Sequence, residues 1–332
     1  MSLPAPIAVD AMGGDRAPDE IVAGAERAAA ELGLPIVLVG DPDRLKGTSL
    51  EVFPASEVIE MHDDPGKGVR RKKDSSLVRA AEAVRDGRAS AMVSAGNTGA
   101  TFGSALLRMG RIKGVSRPAI ATPIPRPGHD VPLVLLDAGA NADAQAEWLV
   151  QFAQMGAIFA RDRLGIEAPR VGLLSIGEEP GKGDALRKET FTLLDDPVWT
   201  EPCGATFAGN VEGRDLMFPG VDVVVTDGFT GNVALKTLEG AMRALVGAIL
   251  GAFDTDDDTR AAGDTLMPAL LPLYGQLDPD NTGGAMLLGV DGVCIISHGS
   301  SSATAIVNAC RVAAESVESD LVGKITTAIA AV

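Results

Sequence analysis

The stretch from Ser94 to Ala100, with the sequence Ser-Ala-Gly-Asn-Thr-Gly-Ala, combines two hydroxyls, one amide and two glycines. An apolar run precedes it, and an apolar segment with helical spacing follows from Phe102 to Met109. This pattern predicts a strand, a tight glycine turn and the start of a helix. Such a turn directs backbone N–H groups and the positive end of a helix dipole at one point, where phosphate binds well. An ordinary turn capped by Asn97 or Thr98 explains the same residues equally well.

Glycines and small polar residues follow five further predicted strands in the same way. In an open parallel sheet the carboxyl ends of the strands share one edge, where ligands bind. We therefore expect the turns to converge on one cleft, although ordinary turns also need glycines and capping residues. The predicted strands end at Asp10, Ser94, Asp137, Ser175, Thr226 and Ser297.

Few side chains at these strand ends can carry chemistry. His298 follows the last predicted strand and is a candidate for proton transfer or for donation to a developing oxyanion. His62 and His129 fall in predicted loops. The motifs GxSxG, GxGxxG after the first strand and the Walker loop are absent, which argues against a serine hydrolase, a nicotinamide enzyme and a P-loop enzyme. The lysines that can balance phosphate charge are Lys182, Lys188 and Lys236.

The composition indicates an α/β protein that does not bind nucleic acid. The chain has 332 residues, of which 46% are hydrophobic and only 4% aromatic. Small aliphatic side chains must therefore fill the core, as in parallel sheets covered by helices. A formal net charge of −16 argues against a nucleic-acid binder. Cys203, Cys294 and Cys310 are widely spaced, so we expect neither a zinc site nor a disulfide framework. We also expect no other metal and no cofactor.

The sequence shows neither a recognisable signal peptide nor a membrane-spanning segment. The first residues lack a basic segment followed by an apolar one, so no signal peptide is expected. No apolar run reaches the roughly 18 residues that a membrane span needs. We therefore expect a cytoplasmic protein.

The element pattern is strand, turn, helix, strand from the first residues onward, which predicts an α/β fold. The residues from Asp63 to Gly68 have loop composition. A long helix is predicted from Val233 to Phe253, followed by irregular structure to Asp280, because Pro268 and Pro272 interrupt the apolar residues there.

The domain organisation is predicted to be a single unit spanning residues 1–332. A proline-rich connection at residues 123–130 is a candidate subdomain hinge. Residues 240–280 are expected to protrude as a helical segment.

The densest basic cluster of this acidic chain is Arg70-Arg71-Lys72-Lys73. A solvated loop end is the simpler explanation. The contrast with the net charge favours a patch for an anionic ligand or an acidic partner.

Taken together, six stretches resemble one family, the phosphate acyltransferases of bacterial phospholipid synthesis (PlsX type). The resemblance extends from about Ile7 to Ala314. The motifs are DAMGGD at 10–15, RRKKDSS at 70–76, SAGNTGA at 94–100, GKG at 181–183 with KE at 188–189, TDGFTGN at 226–232 and SHG at 297–299.

The resemblance implies transfer of a fatty acyl group from acyl carrier protein to inorganic phosphate. The product would be acyl phosphate, which a downstream acyltransferase uses to acylate glycerol 3-phosphate. The resemblance also implies a Rossmann-like α/β/α sandwich with a mostly parallel sheet, related to phosphotransacetylases, and a homodimer. A phosphotransacetylase acting on a small acyl-coenzyme A and a scaffold that binds acyl carrier protein without turnover are the alternatives.

The residues that this resemblance assigns fall into three sets. His298, Asn232 and Lys188 are the catalytic candidates. Arg70, Arg71, Lys72 and Lys73 are the candidates for binding acyl carrier protein, which is acidic. The candidates for holding phosphate or the thioester are Asp10, Gly13, Gly14, Asp15, Ser94, Gly96, Asn97, Thr98, Gly99, Lys182, Asp227, Thr230 and Gly231.

The chain departs from the family pattern in two places. Members of the family usually carry a basic amphipathic segment after the long helix, but here Arg260 is the only basic residue between Gly251 and Asp280. Electrostatic docking on an anionic membrane is therefore not expected, whereas insertion of apolar residues there stays open. The family's tyrosine before the double glycine is Thr282, so a tyrosine role cannot be carried over.

Overall fold

The structure is a computed structural model that describes residues 3–331, so the first two residues and the last residue of the predicted domain lie outside it. Over the described residues the chain forms an 11-stranded sheet with helices on both faces. This three-layer arrangement confirms the predicted α/β class. The strands are β1 (Ile7–Asp10), β2 (Ile36–Gly40), β3 (Glu51–Pro54), β4 (Ala91–Ser94), β5 (Ala119–Ile124), β6 (Leu133–Leu136), β7 (Arg170–Leu174), β8 (Thr206–Val211), β9 (Val223–Val225), β10 (Ala285–Leu288) and β11 (Val293–Ile296). The helices are α1 (Asp19–Leu32), α2 (Pro65–Arg71), α3 (Ser76–Arg85), α4 (Thr98–Arg108), α5 (Ala146–Leu164), α6 (Ala185–Asp195), α7 (Gly228–Phe253), α8 (Asp257–Leu277), α9 (Ala303–Glu318) and α10 (Leu321–Ala330).

The sheet is mostly parallel, as predicted, but its two halves run in opposite directions. The strand order is β3-β2-β1-β4-β11-β10-β5-β6-β9-β7-β8. β10 is antiparallel to both of its neighbours, and β6 is antiparallel to β5. β6, β9, β7 and β8 therefore run opposite to β1, β4 and β11.

The expectation of one shared carboxyl edge is therefore wrong. The reversal occurs between β5 and β6, where residues 125–132 are too few for the crossover that parallel strands require. The chain returns there as an antiparallel pair, with Ala121 opposite Leu136 and Ile124 opposite Leu133. The turns after β6, β9 and β7 consequently leave the sheet at the edge opposite to those after β1, β4 and β11.

Small aliphatic residues that alternate along the strands fill the core on both faces of the sheet. In β1, Val9 packs with the core under α1, α5, α9 and α10, whereas Ala8 packs with the core under α2, α3 and α4. This alternation follows from the two-residue period of a strand. Beyond β5, α7 covers the second face through partly buried Leu235 and Leu238. α4 and α7 thus lie on the same face, over different halves of the sheet.

The predicted loop at Asp63 to Gly68 is instead the start of α2. The Asp64 side chain accepts a hydrogen bond from Lys67 N at 2.8 Å, and Pro65 occupies the first helical position. Asp followed by Pro is a loop signal, but it is equally the signal of a capped helix start.

The prediction of irregular structure between Phe253 and Asp280 is also wrong. In the structure α8 runs from Asp257 to Leu277 through both Pro268 and Pro272. The two prolines are four residues apart, so the hydrogen bonds that they remove lie on the same side of the helix. α8 packs against α7. Most side chains of the α7–α8 hairpin remain exposed. Among the described residues, no helix is long and apolar enough to cross a membrane.

Candidate active site

Two adjoining cavities lie over β5 between the beginnings of α4 and α7. The first, of about 310 Å³, is lined by Thr98 and Gly99 of α4, by Asn232 of α7 and by Ile120. The second, of about 170 Å³, shares Thr98 and Asn232 and adds His298. The turns after β4, β6, β9 and β11 therefore meet at one place, although the strands end at opposite edges. The turns after β1 and β7 do not reach the cavity walls.

The turn after β4 is held by Asn97, which caps α4. Its Oδ1 accepts from Ala100 N at 3.0 Å, and its Nδ2 donates to the carbonyl oxygens of Met61 at 2.9 Å and Asp63 at 3.3 Å. The Asn97 side chain thus ties α4 to the segment that leads into α2. The first two N–H groups of the helix belong to Thr98 and Gly99, and they have no partner within the helix. They present the positive end of the α4 dipole to the cavity, an arrangement that suits an anion.

A buried carboxyl group supports this turn from below. Asp10 accepts from Ser94 Oγ at 2.7 Å, and Ser94 Oγ accepts from Gly96 N at 3.0 Å. Burial raises the pKa of Asp10, and hydrogen bonds from Ser76 and Ser94 oppose the rise. A side chain at Gly13 would meet the Gly96 backbone at 2.9 Å, so the turns after β1 and β4 are in direct contact.

The rest of the turn after β1 contacts the turn that carries His298. Gly14 has a φ of 120°, which favours glycine, and Asp15 N donates to Gly299 O at 2.8 Å. The predicted set Asp10, Gly13, Gly14 and Asp15 therefore braces the turns that line the cavities.

The start of α7 is organised by Arg187, which the sequence analysis missed. Arg187 donates to Thr226 Oγ1 at 2.9 Å, to Thr230 Oγ1 at 3.0 Å and to the Asp227 carboxylate. Asp227 also caps α7 by accepting from Thr230 N at 2.8 Å. Burial alone would raise the pKa of Asp227, but the bonds from Thr230 and Arg187 outweigh it and hold the pKa below its usual range.

The spacing of buried residues along α6 could have identified Arg187 from the sequence. The buried positions of this helix are Arg187, Thr190 and Leu194, which have helical spacing. Lys188, one of the three predicted catalytic residues, lies beside this buried stripe and is exposed.

The turn after β6 packs against α7 with almost no space between them. A side chain at Gly231 would overlap the carbonyl oxygen of Asp137. The buried Asp137 carboxylate accepts from Ala140 N at 2.9 Å and Asn141 N at 2.7 Å, and Gly228 N donates to Asn141 O at 2.7 Å. Burial raises the pKa of Asp137, and these bonds oppose the rise. Asn232 is thereby held at a fixed position on the cavity wall.

His298 has one ring nitrogen engaged by its own turn. Nδ1 lies 2.8 Å from Ser300 Oγ and accepts from Ser300 N at 3.3 Å. In the neutral ring the proton is then on Nε2, which is the nitrogen that can donate to a ligand. This arrangement suits donation to a developing oxyanion.

Of the lysines considered for phosphate, the structure brings Lys236 to the cavity. Its Nζ donates to Glu239 at 2.8 Å. Lys182 and Lys188 are exposed and line neither cavity.

The basic cluster lies at the end of α2 and just beyond it. Lys72 is engaged with Val58 O at 2.7 Å and Asp63 Oδ2 at 2.6 Å, and this hydrogen bond holds the pKa of Asp63 below its usual range. Arg70, Arg71 and Lys73 are exposed. Because Asn97 joins the two segments, the cluster is next to the turn that lines the cavities.

The cysteines are poor nucleophiles. All three are buried, and burial raises the pKa of Cys294 and Cys310 to about 12. Within residues 3–331 no group of His, Cys, Asp and Glu side chains could hold a metal ion.

Comparison with known proteins places the chain among phosphate acyltransferases. A family model described as "Fatty acid synthesis protein" matches residues 5–324. Proteins named phosphate acyltransferase from Elusimicrobium minutum and Desulforudis audaxviator are 48% and 47% identical to it, over 98% and 97% of this chain and 96% of each relative. The EutD phosphotransacetylase from Staphylococcus aureus has the same fold, with a TM-score of 0.62 at 16% identity over 95% of both chains. The chain therefore belongs to the family of phosphate acyltransferases and is an acyltransferase.

Proposed function

We propose that the protein transfers a fatty acyl group from acyl carrier protein to inorganic phosphate and forms acyl phosphate. The observation that carries this proposal is the meeting of Thr98, Asn232 and His298 at shared cavities. The helix start at Thr98 suits phosphate, and Asn232 and His298 offer side-chain donors for a carbonyl oxygen.

The proposed reaction is a direct displacement. An oxygen of hydrogen phosphate attacks the thioester carbonyl carbon, and the carbonyl oxygen becomes negatively charged. His298 Nε2–H and the Asn232 amide stabilise this charge. The C–S bond then breaks, sulfur leaves with the electron pair, and the proton of hydrogen phosphate ends on the thiol. Fixed positions for phosphate and thioester lower the barrier further, because the two reactants are already oriented.

The identity of the acyl donor is tested by competition. We expect long-chain acyl carrier protein to be used in preference to acetyl-coenzyme A when both are offered with phosphate and acyl phosphate is trapped with hydroxylamine. Preference for acetyl-coenzyme A would favour a phosphotransacetylase and contradict the proposal.

The exposed arginines of α2 are proposed to contact acyl carrier protein. Because charges at the rim of an interface mainly change the association rate, replacing Arg70 and Arg71 by glutamate should raise KM for acyl carrier protein substrates about tenfold. Steady-state kinetics at low and moderate salt measure the effect. A short pantetheine thioester should react at the same rate in the variant.

The matched control is the variant Arg214→Glu. Arg214 is exposed and lies near β8, at the far end of the sheet. It should leave KM for acyl carrier protein unchanged. Docking on α2 would be contradicted if Arg214→Glu raised KM for acyl carrier protein as much as the α2 variant does. It would also be contradicted if the α2 variant lost as much activity with the pantetheine thioester as with acyl carrier protein.

A further inference from the structure

A line of cavities continues from the candidate site along α7. The cavity lined by His298 shares Leu235 and Glu239 with a cavity of about 210 Å³. That cavity shares Val246 and Tyr274 with a third one, of about 270 Å³, inside the α7–α8 hairpin. The three cavities therefore adjoin along α7, and together they are called the groove.

The groove follows a single face of α7. The residues that line it are spaced three and four apart, which places them in one stripe along the helix. The centre of the stripe is formed by Asn232, Leu235, Glu239, Met242, Val246 and Ile249, and Lys236, Leu238, Arg243 and Leu250 line the groove beside them.

The lining changes from polar to apolar along this stripe. Asn232 and His298 are at the end near the candidate site, and Lys236 Nζ pairs with Glu239 at 2.8 Å. Beyond Met242 the third cavity is lined by Val, Ile, Leu, Met and Tyr side chains. Such a lining suits a ligand with a polar head at one end and a hydrocarbon chain at the other.

The length of the groove also matches a fatty acyl chain. The 14 residues from Asn232 to Val246 span about 21 Å, because an α-helix rises about 1.5 Å per residue. An extended saturated chain advances roughly 1.25 Å per carbon, as follows from C–C single bonds of about 1.5 Å. A chain of about 16 carbons with its carbonyl near Asn232 therefore crosses the second cavity and reaches Val246, where the apolar third cavity begins.

We infer that the acyl chain of the substrate lies along this stripe of α7, and that Val246 and Tyr274 set the length of chain that the groove accepts. This inference rests on the proposed function, since it assumes that the carbonyl group binds near Asn232. The occupant is a saturated or monounsaturated hydrocarbon chain attached to the reacting carbonyl.

A direct binding experiment tests the groove without requiring turnover. Hexadecylphosphonate and octylphosphonate, used below their micelle concentrations, carry the same anionic head on chains of different length. Calorimetry should give wild-type protein at least tenfold tighter binding of the longer chain, because each buried methylene adds affinity. Val246→Trp should remove this preference and leave octylphosphonate binding unchanged, since an eight-carbon chain ends near Glu239.

The matched control is Leu245→Trp, which adds the same side chain at the neighbouring exposed position outside the stripe. It should keep the wild-type preference. Unchanged preference in Val246→Trp, equal loss in both variants, or equal binding of the two phosphonates by wild-type protein would overturn the inference.

A kinetic readout separates this inference from the proposed function. With acyl carrier protein substrates, Val246→Trp should lower kcat/KM for a 16-carbon chain at least tenfold and leave an 8-carbon chain unaffected. Tight binding of hexadecylphosphonate by a wild-type protein that makes no acyl phosphate would uphold the groove and remove the proposed reaction. If Val246→Trp turns over 16-carbon and 8-carbon substrates as the wild type does, the proposed reaction would be upheld and the groove would be removed.

Discussion

Arg187→Met is expected to lower kcat/KM for acyl transfer about 100-fold, although Arg187 lines neither cavity. Misplacement of a reacting group by about 1 Å has effects of this size. The guanidinium holds Asp227, Thr226 and Thr230 together, and these residues fix the first turn of α7 and hence Asn232. Its loss leaves the Asp227 carboxylate buried without a cation, which should lower the free energy of unfolding by about 3 kcal/mol. Urea unfolding and steady-state kinetics measure the two effects.

The neighbouring residue provides the control for this prediction. Lys188→Met removes a positive charge from the exposed face of the same helix and should leave kcat/KM within about threefold of the wild type, because surface substitutions rarely exceed about 0.5 kcal/mol. Arg187→Lys keeps the charge but loses the fork of donors, so an intermediate loss is expected. Wild-type activity in a folded Arg187→Met protein, or a larger loss in Lys188→Met, would refute this positioning role.

The destabilisation should also depend on pH. In the wild type the pKa of Asp227 lies below its usual range, so the carboxylate contributes stability that is present above the unfolded pKa and is lost as pH falls through the folded pKa. In Arg187→Met burial acts without the guanidinium, so the folded pKa should rise and the variant should gain stability relative to the wild type as pH falls. The difference in free energy of unfolding should therefore be smaller near pH 4, close to the usual pKa of a carboxyl group, than at pH 7. An equal difference at both pH values would contradict an ionised Asp227–Arg187 pair.

His298→Ala should lower kcat by about 100- to 1,000-fold, which is the usual effect of removing one donor to a developing oxyanion. KM for phosphate should change little, because the proposed contact forms with the carbonyl oxygen of the thioester. His298→Gln places an amide donor near the position of Nε2 and should restore part of the loss. Steady-state kinetics of acyl phosphate formation measure all three proteins.

These variants separate the two roles considered for His298. Glutamine cannot transfer a proton, so recovery in His298→Gln supports donation, whereas equal loss in both variants supports proton transfer. His129→Ala, in a loop outside these cavities, should behave as the wild type. Activity of His298→Ala within about threefold of the wild type would exclude both roles, since either one contributes at least about 100-fold.

The sequence predicted those features of the site that are formed by residues close together in the chain. The glycine turns after β4 and β9 are followed by helices that Asn97 and Asp227 cap, as short-range capping rules indicate. The positions of Thr98 and His298 at strand ends predict them as site residues, and both line the second cavity. These features depend on contacts within a few residues.

The features that the sequence did not reveal depend on distant contacts. Arg187 meets Asp227 across 40 residues of chain. The spacing of α6 indicates that Arg187 is buried, but it does not identify Asp227 as its partner. The reversal of the sheet follows from the pairing of β5 with β6 and β10. α8 runs through two prolines and packs on α7, and helix propensity alone predicts neither feature.

The central claim is that bound phosphate itself attacks the thioester at the cavity between α4 and α7. The most direct measurement incubates the purified protein with palmitoyl acyl carrier protein, with and without phosphate, and follows thiol release, acyl phosphate and the intact mass of the protein. Direct attack predicts thiol and acyl phosphate in equal amounts with phosphate present, no thiol release without it, and no acyl group on the protein at any time. Thiol release in the absence of phosphate, or an acyl adduct on the protein, would contradict it.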